Sequence, residues 1–222
     1  MSKPLADFLP EVLPFVPGCP QPVAINAVRN SVIQFMTETG LSEQTLSVSL
    51  VDGTALYTVT PAAGTKIINY VRGDIAGSPV YPASPAQLDA TSLGWRALDG
   101  SQPTQAFIEG GQLRVLPIPG AAATLSATFV CAPTRAATTV DDEVLEDYAE
   151  TIASGALYRL LALPGQPWSS PELAGYHKEK FEADVSDAIV MKMKGGTNAS
   201  LSAKPRSFAG APNGYSAGFN YS

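Results

Sequence analysis

Two groups of residues in the sequence could do chemistry: a lone histidine and a cluster of acids. His177 is the only histidine, so a Ser-His-acid triad would have to use it, and a two-histidine metal site cannot form within one chain. The acids could bind a metal or act in acid-base catalysis. However, carboxylates in the first turns of a helix are also favoured by the positive end of the helix dipole. We therefore interpret the cluster as a solvated or partner-facing surface, formed by Asp141, Asp142, Glu143, Glu146, Asp147 and Glu150.

Other catalytic signatures are missing from the sequence. It contains neither the GxxxxGK[ST] nor the GxGxxG pattern that cradles phosphate groups, and Gly110-Gly111 lies in a predicted hairpin. Cys19 and Cys131 are the only cysteines, too few for a disulfide scaffold. Their pairing stays open, although two buried free thiols are the default expectation. We predict no catalytic residue, no metal and no cofactor, and hence no enzyme.

Residues 141–181 are typical of two antiparallel helices joined by a short turn. Pro164-Gly165 ends the first helix, because proline cannot continue it and glycine tolerates a positive φ. Ser169 to Glu172 has the spacing of a capping box and Ser170-Pro171 fits an N-cap followed by proline, so the start of the second helix is marked whichever serine caps it. Apolar residues follow helical spacing in both arms: Leu145, Tyr148, Ile152, Ala156, Leu160 and Leu163 in the first, then Leu173, Tyr176, Phe181, Val185 and Ala188.

A third helix is predicted early in the chain. Pro22 opens it, Gly40 ends it, and an apolar lead-in over residues 5–20 is expected to lie against the helices. One face of this helix is apolar, with Ile25, Val28, Val32, Phe35 and Met36.

The middle of the chain, residues 44–131, changes to the alternation of β-strands. Asp52-Gly53 predicts a hairpin turn after the first strand, Gly110-Gly111 predicts a second hairpin, and residues 124–130 read as a last strand. We therefore expect an α+β protein, in which a helical bundle of one early helix and a late antiparallel pair carries an inserted small antiparallel β-sheet module. The predicted divisions are 1–42, 43–138, 139–194 and an extended C-terminal arm over 195–222.

The charge of the chain is low and unevenly distributed. Only 15% of residues are charged and the net charge is −6, which suits burial in an assembly and argues against general nucleic-acid affinity. Residues 188–222 contain no acid. We predict that the arm docks on a neighbouring copy, on another protein or on its own body, through Lys204, Arg206, Phe208, Tyr215, Phe219 and Tyr221.

Three segments resemble the head-to-tail adaptor proteins of tailed bacteriophages, similar to the tail tubular protein A group of podoviruses. They are LPEVLPFVPGCPQPVAINAVRNSVIQF, SPAQLDATSLGWR and ALYRLLALPGQPWSSPELAGYHKEKFEA. The resemblance covers roughly residues 5–188. The proline-glycine turn between the late helices is its most specific part. These are packing motifs, so no catalytic residue is carried over.

The resemblance implies a structural virion protein that is made in the host cytoplasm. Twelve copies would form a ring (a dodecamer) that joins the portal protein to the tail tube or nozzle protein. DNA would pass through the lumen during genome ejection, without sequence-specific binding, and no membrane would be involved. We expect the helices to build this ring through Ile25, Val32, Leu145, Tyr148, Ile152, Leu160, Tyr176 and Phe181.

Two other functions stay open from the residues alone. The first is a monomeric β-rich module that binds carbohydrate or another polymer through Trp95 and Trp168. The second is a hydrolase built around His177 and the acids. The mass of the native particle distinguishes the monomeric module from the ring.

Overall fold

The structure is a computed structural model that describes residues 2–91 and 94–195 of the chain. The fold is α+β, but the predicted architecture of a helical bundle with a small antiparallel sheet is wrong. The chain instead builds a large, curled seven-stranded mixed sheet that forms a half-barrel. The predicted arm lies outside the described residues, apart from Gly195. The division into 1–42, 43–138, 139–194 and 195–222 stays a prediction.

The strands of the seven-stranded sheet lie in the order β2 (Glu43–Leu50), β10 (Ala123–Pro133), β4 (Thr65–Ile75), β5 (Ser78–Pro82), β7 (Gln105–Glu109), β8 (Gln112–Leu116) and β3 (Leu56–Tyr57). All pairs are antiparallel except β5 and β7, which run parallel. Two further two-stranded sheets pair β1 (Ser2–Pro4) with β11 (Thr139–Asp141), and β6 (Asp99–Gly100) with β9 (Ile118–Pro119).

The predicted hairpin at Asp52-Gly53 is wrong. A turn does form there, with Gly53 at a φ of 72°. However, β2 then pairs with β10 and β3 pairs with β8, so the two strands lie at opposite edges of the sheet. The second predicted hairpin is present, since β7 and β8 pair across Gly110-Gly111.

The three predicted long helices are present. They are α2 (Gln21–Thr39), α4 (Asp142–Leu161) and α5 (Pro171–Met193), and Gly40 ends α2 at a φ of 61°. Ser170 is the N-cap of α5 with Pro171 at the first helical position, but its side chain makes no capping hydrogen bond. The short helical elements are α1 (Leu9–Val12), α3 (Pro85–Thr91) and the 3-10 turns η1 (Leu5–Phe8), η2 (Leu13–Phe15) and η3 (Trp95–Ala97).

The long helices and the lead-in share one apolar core. Val28, Phe35, Ile152 and Phe181 are fully buried in it. The three long helices meet at Gly155, where an added Cβ would overlap Ser31 Oγ and lie 2.7 Å from the ring of Phe181. The Ser31 hydroxyl is buried and donates to the carbonyl of Ile152 at 2.9 Å. Glycine therefore permits the close approach of α2, α4 and α5.

The half-barrel has a second apolar core, which includes Leu113, Leu125 and Phe129. The end of α5 joins the helices to the sheet. The ammonium group of Lys192 donates to the carbonyl of Gly40 and lies 3.0 Å from the Glu43 carboxylate at the start of β2. A charge-assisted pair at this position fixes the end of the helix against the first strand.

Candidate interaction surface on the helix pair

Three acids of α4, Glu146, Asp147 and Glu150, lie along an open cleft between α4 and α5. The cleft has a volume of about 780 Å³ and is lined by Glu11, Glu146, Asp147, Glu150, Asp184 and Asp187 as well as by Lys180. The Lys180 ammonium lies 2.8 Å from Asp184 and 4.0 Å from Glu150. In residues 2–91 and 94–195 no group of histidine, cysteine and acidic side chains has the geometry to hold a metal ion. We name this surface the acidic cleft.

His177 lies beside the acidic cleft in an aromatic environment. Its ring centroid is 6.0 Å from that of Phe15 and 5.3 Å from that of Tyr176, and both contacts are edge-on. Its Nδ1 atom is buried and has no hydrogen-bond partner within the described part of the chain. Burial and, to a smaller extent, the nearby Lys180 lower the pKa of His177. Because Nδ1 has no partner among the described residues, no carboxylate there orients this imidazole as one does in a catalytic triad.

An apolar groove of about 530 Å³ runs between α4, α5 and η2, next to the acidic cleft. Leu157 and Leu161 are buried and form its floor. Its rim carries three large exposed side chains, Phe15 at 57%, Leu173 at 50% and Tyr176 at 61% exposure. We name it the α4–α5 groove. Clustered exposed apolar side chains of this size are typical of a binding surface.

The structure separates the predicted ring-packing residues into three groups. Val32, Ile152, Leu160 and Phe181 are fully or almost fully buried within the chain's own core. Ile25, Leu145 and Tyr148 are half-buried, and Tyr176 is exposed. Among the eight, Tyr176 is therefore the side chain most open to a neighbouring molecule, and the buried ones would act by holding the helices in place. Their role in a ring stays a prediction.

The predicted docking residues of the arm, from Lys204 to Tyr221, lie outside the described residues. The two tryptophans are described. Trp95 is only 3% exposed, packs edge-on against Phe107 and donates from its ring nitrogen to Asp89 at 2.7 Å. Trp168 is half-buried against the helical core. The ring of Trp95 is thus unavailable for stacking on a polymer.

Sequence reasoning missed the rim of the α4–α5 groove. The sequence pattern predicts that Phe15 belongs to a lead-in lying against the helices, and that Leu173 and Tyr176 belong to the apolar stripe of the last helix. Phe181, Val185 and Ala188 of the predicted stripe are buried together with Ala174, whereas Leu173 and Tyr176 are exposed. The sequence does contain a signal for this rim. Leu173 and Tyr176 are three residues apart, so they share a face of the helix that is offset from the buried stripe with Ala174 and Ala188.

Within the described residues, the α4–α5 groove with its exposed rim is the feature most typical of a binding surface. The family model for SU10 adaptor protein matches residues 6–205, and the chain belongs to this family. No curated protein matches the chain.

The family assignment confirms the resemblance to bacteriophage adaptor proteins, and it indicates a structural protein of the virion. It does not confirm the podovirus tail tubular protein A group. In the part of the chain that the structure describes, no helix has the length and apolar character needed to cross a membrane.

Proposed function

We propose that the chain is a head-to-tail adaptor that assembles into a ring of twelve copies between the portal protein and the tail tube or nozzle protein. Membership of the SU10 adaptor family over residues 6–205 carries this proposal. A closer relationship to the podovirus tail tubular protein A group is part of it. The lumen of the ring would leave a path for DNA during genome ejection.

The distribution of exposed apolar side chains supports a ring. A closed ring with head-to-tail contacts needs two different surfaces on each copy. The α4–α5 groove offers one, with Phe15, Leu173 and Tyr176 on its rim. A second set of exposed apolar residues belongs to the sheet region, where Val51 is 55%, Tyr81 61% and Leu98 52% exposed.

The parts of the chain have separate roles in this proposal. The lead-in and the three long helices build the wall of the ring, the half-barrel faces the tail, and the arm contacts the portal protein or the adjacent copy. The net charge of −6 suits the lumen. An acidic lumen repels phosphate groups, so DNA slides through with little adhesion.

Native mass spectrometry of the purified chain tests the ring. We expect a particle near twelve copies, and a stable monomer would instead support a binding module.

Removal of residues 196–222 tests the arm, and we expect it to abolish attachment to purified portal protein while the ring persists. Unchanged attachment would contradict the role of the arm.

A further inference from the structure

The α4–α5 groove and the acidic cleft form one continuous surface. Both are lined by Glu11, Glu150 and Lys180. The acidic cleft extends along the C-terminal half of α5 as far as Met191, whereas the groove lies along its N-terminal half, at Leu173 and Tyr176. A segment bound along this surface from the C-terminal end of α5 would therefore meet acids first and the apolar groove afterwards.

Residues 196–222 have the matching order of chemistry. Lys204 and Arg206 are the only charged residues of this segment, and the aromatic residues follow them at Phe208, Tyr215, Phe219 and Tyr221. Basic residues thus precede aromatic ones along the chain, as the acidic cleft precedes the apolar groove along α5. Cationic side chains are attracted to a concentration of carboxylates, and aromatic side chains gain most from burial in an apolar groove.

The segment is also long enough to reach. From Met193 back to Tyr176 the helix rises by about 26 Å, at about 1.5 Å per residue. An extended chain from Gly195 spans about 30 Å at Lys204 and about 43 Å at Phe208, at about 3.3 Å per residue. The basic residues can therefore reach the acidic cleft, and the aromatic residues can reach the groove of the same molecule.

We propose that, in the unassembled chain, residues 204–221 bind back onto their own acidic cleft and α4–α5 groove. Attachment through a short linker gives the segment an effective concentration in the millimolar range, which favours the same chain over a second copy. The bound segment covers Phe15, Leu173 and Tyr176 and keeps these apolar side chains from associating before assembly. This inference concerns the free chain and does not depend on ring formation.

Photo-crosslinking in the full-length chain tests the proposal. The photoreactive amino acid p-benzoylphenylalanine is placed at Tyr176, and a matched control carries it at Tyr81, which is equally exposed at 61% but lies on β5. The products are separated on a denaturing gel and the linked peptides identified by mass spectrometry. We expect position 176 to link to residues 204–221 in a product that retains the mass of one chain, and position 81 to give no such link.

Charge reversal tests whether the basic residues of the segment bind the acidic cleft. Lys204→Glu with Arg206→Glu should lower the crosslink yield at position 176 about fivefold, since two exposed ion pairs are lost. Adding Glu11→Lys and Glu150→Lys should restore it, and the charge-preserving pair Lys204→Arg with Arg206→Lys should leave it unchanged. Arm links found only at twice the chain mass would overturn the proposal in favour of a second copy. Absence of arm links, or equal links from position 81, would also overturn it.

Discussion

Gly155 is the residue on which the packing of the helices depends. Because a Cβ here would overlap Ser31 Oγ and press on Phe181, Gly155→Ala must separate helices that share a buried core. We expect it to lower the free energy of unfolding, measured by urea denaturation, by about 1–3 kcal/mol, the range typical of overpacked cores. Gly175→Ala is the matched control, since nothing lies within 4 Å of its Cβ in α5. Helix propensity predicts that this control stabilises by up to about 1 kcal/mol. Equal effects of the two variants would contradict the close packing at Gly155.

His177 should make stability depend on pH in a direction set by its lowered pKa. In the unfolded chain the pKa of a histidine is about 6.5, and the pKa of His177 in the folded chain lies below this value. Between these two pKa values the unfolded state binds more protons than the folded state. The contribution of His177 to the free energy of unfolding is therefore complete above about pH 6.5, and it is lost as the pH falls from there through the folded pKa. We expect His177→Asn to remove this part of the pH dependence, seen as a difference between the two unfolding curves from pH 5 to 8.

A direct measurement of the same property is simple because the chain has a single histidine. Its imidazole resonance gives one titration curve by NMR, with an expected midpoint below that of a histidine in an unfolded peptide. A midpoint at or above the unfolded value would show that burial beside Phe15 and Tyr176 does not lower the pKa of the His177 imidazole.

At the scale of elements, Lys192 joins the end of α5 to the start of the sheet. Its contacts with the Gly40 carbonyl and Glu43 are partly shielded, since the two charged side chains are 29% and 28% exposed. We expect Lys192→Met, which keeps the aliphatic length, to lower the free energy of unfolding by about 1–2 kcal/mol. The solvent-exposed pair Lys178–Glu182 supplies the control, because Lys178→Met should change stability by less than about 0.5 kcal/mol. If both variants behave alike, Lys192 does not hold the helix to the sheet.

The sequence predicted local elements better than their partners. Pro22, Gly40, Pro164-Gly165 and Pro171 located the ends of the long helices, because these residues restrict the backbone wherever they occur. Strand pairing depends on residues far apart in the chain, and so Asp52-Gly53 predicted a hairpin where β2 pairs instead with β10. The parallel pair of β5 and β7 has no local signal either, and the size and curl of the sheet were therefore missed.

The candidate surface was predictable only in part for a related reason. Helical periodicity located the apolar residues of α5 but not the direction they face. That direction is set at Gly155, where α2, α4 and α5 meet and Phe181 is buried. Tyr176 and Leu173 are left exposed as a consequence, next to a phenylalanine contributed by η2. The groove forms only through tertiary packing. The sequence therefore identifies the apolar residues but does not predict that they line one groove.

At the scale of the whole molecule, the two proposals combine into an expectation about assembly. If the arm covers the α4–α5 groove and ring contacts use Tyr176, docking of the arm and formation of the ring compete for the same surface. A competing internal segment reduces the fraction of chains that are competent to assemble. The chain concentration needed to form the ring then rises in inverse proportion to that fraction.

Lys204→Glu with Arg206→Glu should therefore assemble at a lower concentration than the unaltered chain, by about fivefold if two exposed ion pairs hold the arm. The midpoint of assembly is measured by mass photometry over a dilution series, with Lys204→Arg and Arg206→Lys as the charge-preserving control. A midpoint shifted to higher concentration would mean that the arm contributes to the contact between copies. An unchanged midpoint would mean that the arm and the ring use different surfaces, even where crosslinking places the arm in the groove. The direction of this shift thus separates an arm that delays assembly from an arm that completes it.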